Sequence, residues 1–406
     1  MLMIGVCNEH MKKIAIISCG GLPLPPVKGG AVENLIQFWV ENNEIEQLAK
    51  LTVFSAWDKR AYEESTKYKN TDFIYAGKHK LATALTRQTN RVFRKLKFGA
   101  AFQISPFLID VVKKIKKSDF DYIIVENVAD FVPYVRKKVN IPVFLHMHND
   151  YLNHTYFLAK QVLKSSAKIL TVSEYIKRCV LSIDENADNV QVLRNVIDVD
   201  KFLNVSTEIR HHWRMVYGIK PSDVVFAFFG RMTPGKGISE LIRAFSSLAD
   251  RNDNVKLLVV GAKWFGENTK SKFMEELEHM SEPHKDKIVF TGYVNYGDIA
   301  EQYACADVVV VPSIMGEALP LVVLEAMAAG KALIVSDSGG IPEQVDSKCA
   351  IQILRGEHFV NDLELAMDKL ASDQPLLEAM GKQGQKSIEK YDNKAYLAEL
   401  LDVLGV

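Results

Sequence analysis

Short runs of apolar, largely β-branched residues recur along the whole chain. Between them lie stretches with apolar positions every three or four residues. The runs are continuously apolar rather than alternating, which suits parallel strands covered on both faces. They predict strands at 13–18, 51–56, 72–76, 122–126, 142–146, 168–173 and 190–193. A second set is predicted at 224–230, 256–261, 288–292, 307–312, 332–337 and 350–354. Helical periodicity fills the gaps, as over 238–249 and 361–370, so the chain reads as consecutive βαβ units. The series restarts near residue 222 after an unpatterned polar stretch at 204–214. This predicts an α/β protein of two Rossmann-like parallel-sheet domains, residues 1–205 and 206–390. A last amphipathic helix within 391–406 is expected to cross back onto the first domain. No repeat and no low-complexity tract stands out.

Size and charge narrow this picture. A chain of 406 residues exceeds the length over which one core keeps growing, in keeping with two domains. Fifty basic and fifty acidic residues balance, so no global field favours nucleic acid, and electrostatic function must come from local patches. The five cysteines (Cys7, Cys19, Cys179, Cys305, Cys349) are scattered and odd in number, which reads as reduced thiols in the cytoplasm with no metal site implied. No apolar run approaches the roughly 20 residues that span a bilayer. The first ten residues have neither the basic region nor the apolar length of a signal peptide, and MKKIAIIS from Met11 reads as a more natural start.

Candidate chemistry sits at predicted strand ends, where ligands of parallel α/β sheets bind. After VVFAFF comes GRMTPGKG, which puts Arg231 and Lys236 in a loop where Gly235 and Gly237 let backbone approach a ligand. Arg and Lys in such a loop suit a diphosphate, although the segment alone equally describes a basic loop ahead of a helix. After DVVVVPS comes EALPLVVLEAMAAG. A helix beginning near residue 319, with Pro320 in its first turn, would aim free N–H groups and its positive dipole end at an anion. Glu317 and Glu325 are eight residues apart, about 12 Å along a helix, comparable to the reach from a sugar across a diphosphate to a ribose.

In combination, GRMTPGKG, the two glutamates, and ALIVSD running into SGGIPE resemble glycosyltransferase family 4, with its GT-B fold. PPVKGGAVENL after the first strand, TVSEYIK and RNVIDVDKF extend the resemblance over nearly the whole chain. The resemblance implies two domains facing each other across a cleft, the first on the acceptor side and the second binding a nucleotide sugar. It also implies retaining transfer without a bound metal or other cofactor. By position, Arg231 and Lys236 match diphosphate binders, Glu317 the carboxylate near the donor sugar, and Glu325 the one on the ribose. Gly29 and Gly30 match a glycine loop near the phosphates and acceptor. Ala318, Leu319, Leu321 and Val322 match the donor-binding segment at the helix start. In LHMHND the family's active-site histidine is His146 or His148, and His-Asn-Asp favours His148. Asn195-Val196 stands where the family often has Asn-Gly, and Leu319 where it often has phenylalanine.

Breaking a sugar–diphosphate bond loads charge on the leaving oxygen, and fixed positive charge aimed there acts mainly in the transition state. Neither Asp119-Phe120-Asp121 nor Asp198-Val199-Asp200 makes a credible metal site, and no carboxylate pair suggests double displacement. The expected donor is a uridine diphosphate sugar carrying a hexose. The expected acceptor is a glycan or lipid-linked sugar of surface polysaccharide or glycoconjugate synthesis. Trp264 and Phe265 either line the base pocket or pack inside. Between 81 and 117 nine basic residues, among them Arg87, Arg91, Arg94, Lys95 and Lys97, face one acid, Asp110, which suits an anionic membrane surface at the inner face. A nucleotide-sugar epimerase and a non-catalytic nucleotide-sugar binder are the alternatives. A nicotinamide dehydrogenase is disfavoured, because CGGLPLPP lacks G-x-G-x-x-G.

Overall fold

The computed structural model describes residues 11–77, 105–262 and 271–406. The leader at 1–10, most of the basic stretch (81–104, with Arg87, Arg91, Arg94, Lys95 and Lys97), Trp264 and Phe265 lie outside the described residues.

All thirteen predicted strands form, within a residue or two. They are β1 (Lys13–Ile17), β2 (Lys50–Ala56), β3 (Thr71–Ala76), β4 (Tyr122–Glu126), β5 (Val143–Met147), β6 (Lys168–Thr171) and β7 (Val190–Val192). A second set comprises β8 (Val224–Phe229), β9 (Val255–Val260), β10 (Ile288–Gly292), β11 (Val308–Val311), β12 (Ala332–Ser336) and β13 (Ala350–Ile353). The first sheet has the order β3-β2-β1-β4-β5-β6-β7 and the second β10-β9-β8-β11-β12-β13. Every pairing between named strands is parallel. Both sheets therefore carry the reversal of strand order typical of doubly wound folds, at β1/β4 and at β8/β11. In the second sheet alternate strand residues feed two apolar layers. Val225, Ala227 and Val309 face one cluster, and Phe226, Phe228 and Val308 the other.

The chain divides into two compact units. One comprises Met1–Val172, Ile176–Leu193 and Lys394–Val406, the other Ser173–Tyr175 and Arg194–Asn393. The division falls at residue 194 rather than near 205, because Ile197, Val199 and Phe202 pack into the core of the second unit. In the first unit the last helix, Tyr396–Leu404, lies against helix Ala31–Glu46. Tyr396 stacks on Trp39, and the Leu397 amide donates to Asn42 Oδ1 at 3.1 Å.

Two local expectations need correction. The polar stretch 204–214 holds a helix, Thr207–Val216, capped by the Ser206 hydroxyl. Trp213 packs against the core of the second unit and its indole N–H donates to Glu301 at 2.7 Å, while buried Arg214 reaches Asp307 at 3.2 Å and the Asp223 carbonyl at 2.7 Å. The helix expected near residue 319 is Leu321–Ala328, and Pro320 precedes it in extended conformation rather than occupying its first turn.

Candidate active site

In the second unit the order-reversing strands β8 and β11 deliver two loops to the same sheet end. After β8 the chain passes Arg231, which is exposed, into a short 3-10 turn, Pro234–Lys236. Gly237 follows with φ 71°, and a Cβ there would lie 1.8 Å from the Pro312 carbonyl oxygen. Only glycine permits that backbone shape and that approach to the end of β11. The Gly235 carbonyl then accepts from the amides of Ile314 and Met315, at 3.0 and 3.1 Å. The two loops are thus fastened by backbone, and their side chains meet. Lys236 Nζ lies 2.6 Å from Glu317 Oε1, which also accepts from the Ser313 hydroxyl at 2.5 Å.

The loop 314–320 is braced along its length. The Gly340 amide donates to the Glu317 carbonyl at 2.7 Å, Asn195 Nδ2 to the Leu319 carbonyl at 2.7 Å, and Gln344 Nε2 to the Pro320 carbonyl at 3.1 Å. A Cβ on Gly339 or Gly340 would stand 2.1 or 2.0 Å from the carbonyl oxygens of Glu317 and Ala318, so SGG is the surface against which this loop is laid. Asn195, in the turn motif that departs from the family, is therefore a brace of the loop. Leu319 is buried, so only its backbone faces outward chemistry. Among the described residues no side chain caps the helix that begins at Leu321, next to Val322. Its first amides and its dipole offer a place for an anion beside the Lys236 loop.

Glu325 lies deep in the same helix, only 5% exposed, and accepts from the Tyr303 hydroxyl at 2.7 Å. Tyr303 in turn stacks on Phe229 at the end of β8, with ring centroids 3.8 Å apart. Burial pushes the Glu325 carboxyl up, against the opposing pull of Tyr303 and Lys201.

In the first unit the reversal at β1/β4 does the same work. Gly29 and Gly30 have φ 75° and 118° and lead into helix Ala31–Glu46. The space beside Gly30 is filled by the Glu33 carboxyl, 2.1 Å from where a Cβ would stand. Burial, with Glu126 nearby, pushes Glu33 up to about 7 against the pull of its own amide. At the end of β4, Glu126 is fully buried, and both candidate histidines meet it. His148 Nε2 lies 2.9 Å and His146 Nδ1 3.3 Å from its Oε2. His146 is wholly buried and stacks on Trp39, whereas the His148 side chain keeps 6% exposure. Burial first, then the neighbouring His146, brings His148 down to about 4 against the pull of Glu126. Burial would raise Glu126, but the two histidines outweigh it and hold the carboxyl at about 2. Among the described residues these three are the one cluster with metal-ligand spacing, their donor atoms lying within 4.8 Å of one another.

The structure thus gathers Lys236, Glu317 and the Leu321 helix start at one sheet end, and Gly29, Gly30 and His148 at the corresponding end in the other unit. Sequence reasoning missed Glu126, Ser313, Tyr303 and Asn195. The one trace of Glu126 in the sequence is that it closes an apolar strand, which does not point to its histidine partners.

Residues 210–387 match the family model of glycosyl transferases group 1. The chain is 27% identical over 401 residues to the glycosyltransferase candidate YtcC of Bacillus subtilis, covering 97% of this chain and 91% of that one. It is 25% identical over 366 residues to a lipopolysaccharide 1,2-N-acetylglucosaminetransferase of Salmonella typhimurium, covering 88% and 90%. The crystal structure of Anabaena Alr3699/HepE in complex with UDP-glucose shares the fold, with a TM-score of 0.74 at 19% identity over 97% of this chain and 99% of that one. Residues 210–387 thus resemble a group 1 glycosyltransferase domain, and matches to glycosyltransferases over nearly the whole chain, with two parallel-sheet units, support a glycosyltransferase of GT-B fold.

Proposed function

We propose that the protein is a retaining, metal-independent transferase of the family 4 type. It moves a hexose-type sugar from a uridine diphosphate donor to a glycan or lipid-linked acceptor. The observation that carries this reading is the fastening of the Lys236 loop to the Glu317 loop beside an uncapped helix start. Arg231, Lys236 and the amides of Leu321 and Val322 would hold the diphosphate, and their positive charge would stabilise the leaving oxygen where other transferases use a divalent ion. Glu317, already poised on Lys236, would take sugar hydroxyls, with the backbone of Ala318 and Leu319 beside it. Glu325 would take the ribose, exchanging or sharing its bond to Tyr303. Gly29, Gly30 and His148 keep the roles near phosphate, acceptor and sugar that the resemblance gives them.

In the reaction the C1–O bond to the diphosphate breaks and the acceptor oxygen bonds to C1 from the same face. The acceptor proton passes to the departing phosphate oxygen, so no dedicated protein base is needed. The uridine preference is supported by the solved relative that binds UDP-glucose. We place the enzyme in the cytoplasm, held on the inner face of the membrane by 81–117.

A nucleotide-sugar panel tests the reading by thermal stabilisation and by release of free nucleoside diphosphate with acceptor present. UDP-sugars should stabilise and turn over. Stabilisation by guanosine diphosphate sugars alone would overturn the base choice. Binding without turnover across acceptors would favour the non-catalytic binder, and sugar isomerisation without diphosphate release would favour the epimerase.

A further inference from the structure

We propose that Glu126 is a positioning residue for His148, fixing the ring's orientation and tautomer so that one defined nitrogen is presented to the reaction. The inference rests on the assignment of His148 made above. An ionised carboxylate only accepts hydrogen bonds, so the His148 Nε2 that faces Glu126 Oε2 at 2.9 Å must carry the hydrogen. Nδ1 is then left with its lone pair, able to accept from a sugar or acceptor hydroxyl. The backbone is held by the next residue along: the His148 amide donates to Asn127 Oδ1 at 3.0 Å, and Asn149 Nδ2 to the same oxygen at 2.9 Å. Glu126 therefore holds the ring and Asn127 the main chain, both from the exit of β4.

The ring is walled in as well. His146 lies 4.1 Å away between ring centroids and meets the same carboxylate oxygen. Trp39 stacks behind His146 at 5.7 Å, and Tyr396 of the last helix stacks behind Trp39 at 5.4 Å. The groups that face Glu126 besides the histidines are Glu33, Cys19 and Tyr396. None of them is a cation, so among the described residues the two histidines are the basic groups that partner this buried carboxylate. Metal-ligand spacing has a simpler source here. Both imidazoles converge on one oxygen at hydrogen-bonding and ion-pair distances, and among the described residues His146 Nε2 has no outer acceptor of the kind a metal-bound histidine ordinarily has.

The test is a double-mutant cycle on the full chain, with Glu126→Gln, His148→Ala and the pair together. E126Q should lower kcat by about 10- to 100-fold and leave the donor KM within about twofold. The double variant should be no slower than H148A, because Glu126 acts through the ring. In protein labelled with ¹⁵N-histidine, His148 should show protonated Nε2 in the wild type and mixed tautomers in E126Q. If E126Q fails to fold, Glu126→Asp, which keeps the charge one methylene short, should show a partial loss of kcat with an unaltered KM. Wild-type kcat and tautomer in E126Q, additive losses in the double variant, or stoichiometric metal bound to the purified wild type would each overturn the inference. Unimpaired turnover in H148A would defeat the earlier placement of His148 itself.

Discussion

Buried carboxyls and imidazoles of the first unit pull its stability in opposite directions with pH. His148 is held down to about 4 against an ordinary 6.5, so between those values the unfolded chain binds more protons. That contribution is complete above 6.5 and is lost as pH falls towards 4. Glu126, at about 2 against 4.5, adds to the same acid loss at lower pH. Glu33 has the reverse sign. Held up to about 7 against 4.5, it favours the folded state fully below 4.5 and loses that advantage as pH rises through 7. The shift corresponds to about 3 kcal/mol. Glu33→Gln removes the titration while keeping the shape beside Gly30. Thermal midpoints of E33Q and wild type should therefore diverge in the variant's favour from pH 5 to pH 8. A gap that stays constant over that range would show that Glu33 does not titrate as described.

At the scale of elements, the basic stretch 81–117 carries its own prediction. Its described part includes helix Pro106–Ile115, whose last turn bears Lys113 and Lys114. Cations near an anionic leaflet gain about 1 kcal/mol each, so flotation with liposomes should require anionic lipid and weaken with salt. Binding should drop when Arg91, Arg94, Lys95 and Lys97 become glutamine. Flotation indifferent to lipid charge would leave the stretch as ordinary surface. Elements that fold by burying apolar runs were legible in the sequence, and β8 and β11 show why: every residue inside them is apolar. Helix Thr207–Val216 was missed because its inward face is built of Arg214 and Trp213, which reach Asp307 by an ion pair and Glu301 by a hydrogen bond, rather than of an aliphatic run. The site divides along the same line. Loops such as GRMTPGKG are read from glycine and charge within a few residues. Glu126 is a lone acid whose partners lie 20 and 22 positions onward, and only the β4–β5 pairing, with Glu126 opposite His146, brings them together.

Across the whole molecule one device appears twice. Each unit reverses its strand order once; at each reversal a glycine-bearing loop precedes a helix, and a carboxylate at or beyond the end of the neighbouring strand is paired with a basic side chain. In the second unit that carboxylate is Glu317 on Lys236, and in the first it is Glu126 on His148. Under the function proposed here, the loop after β8 carries a sugar–diphosphate clamp made of protein charge alone. The most direct measurement is release of free uridine diphosphate from a UDP-sugar, with acceptor present and EDTA throughout, for wild type, Arg231→Ala and Lys236→Ala. The wild type should turn over undiminished by the chelator, and each variant should lose about 10²- to 10³-fold in kcat, about 3–4 kcal/mol, with its fold retained. Activity abolished by EDTA and restored by Mg²⁺ or Mn²⁺, or Lys236→Ala working at the wild-type rate, would contradict it.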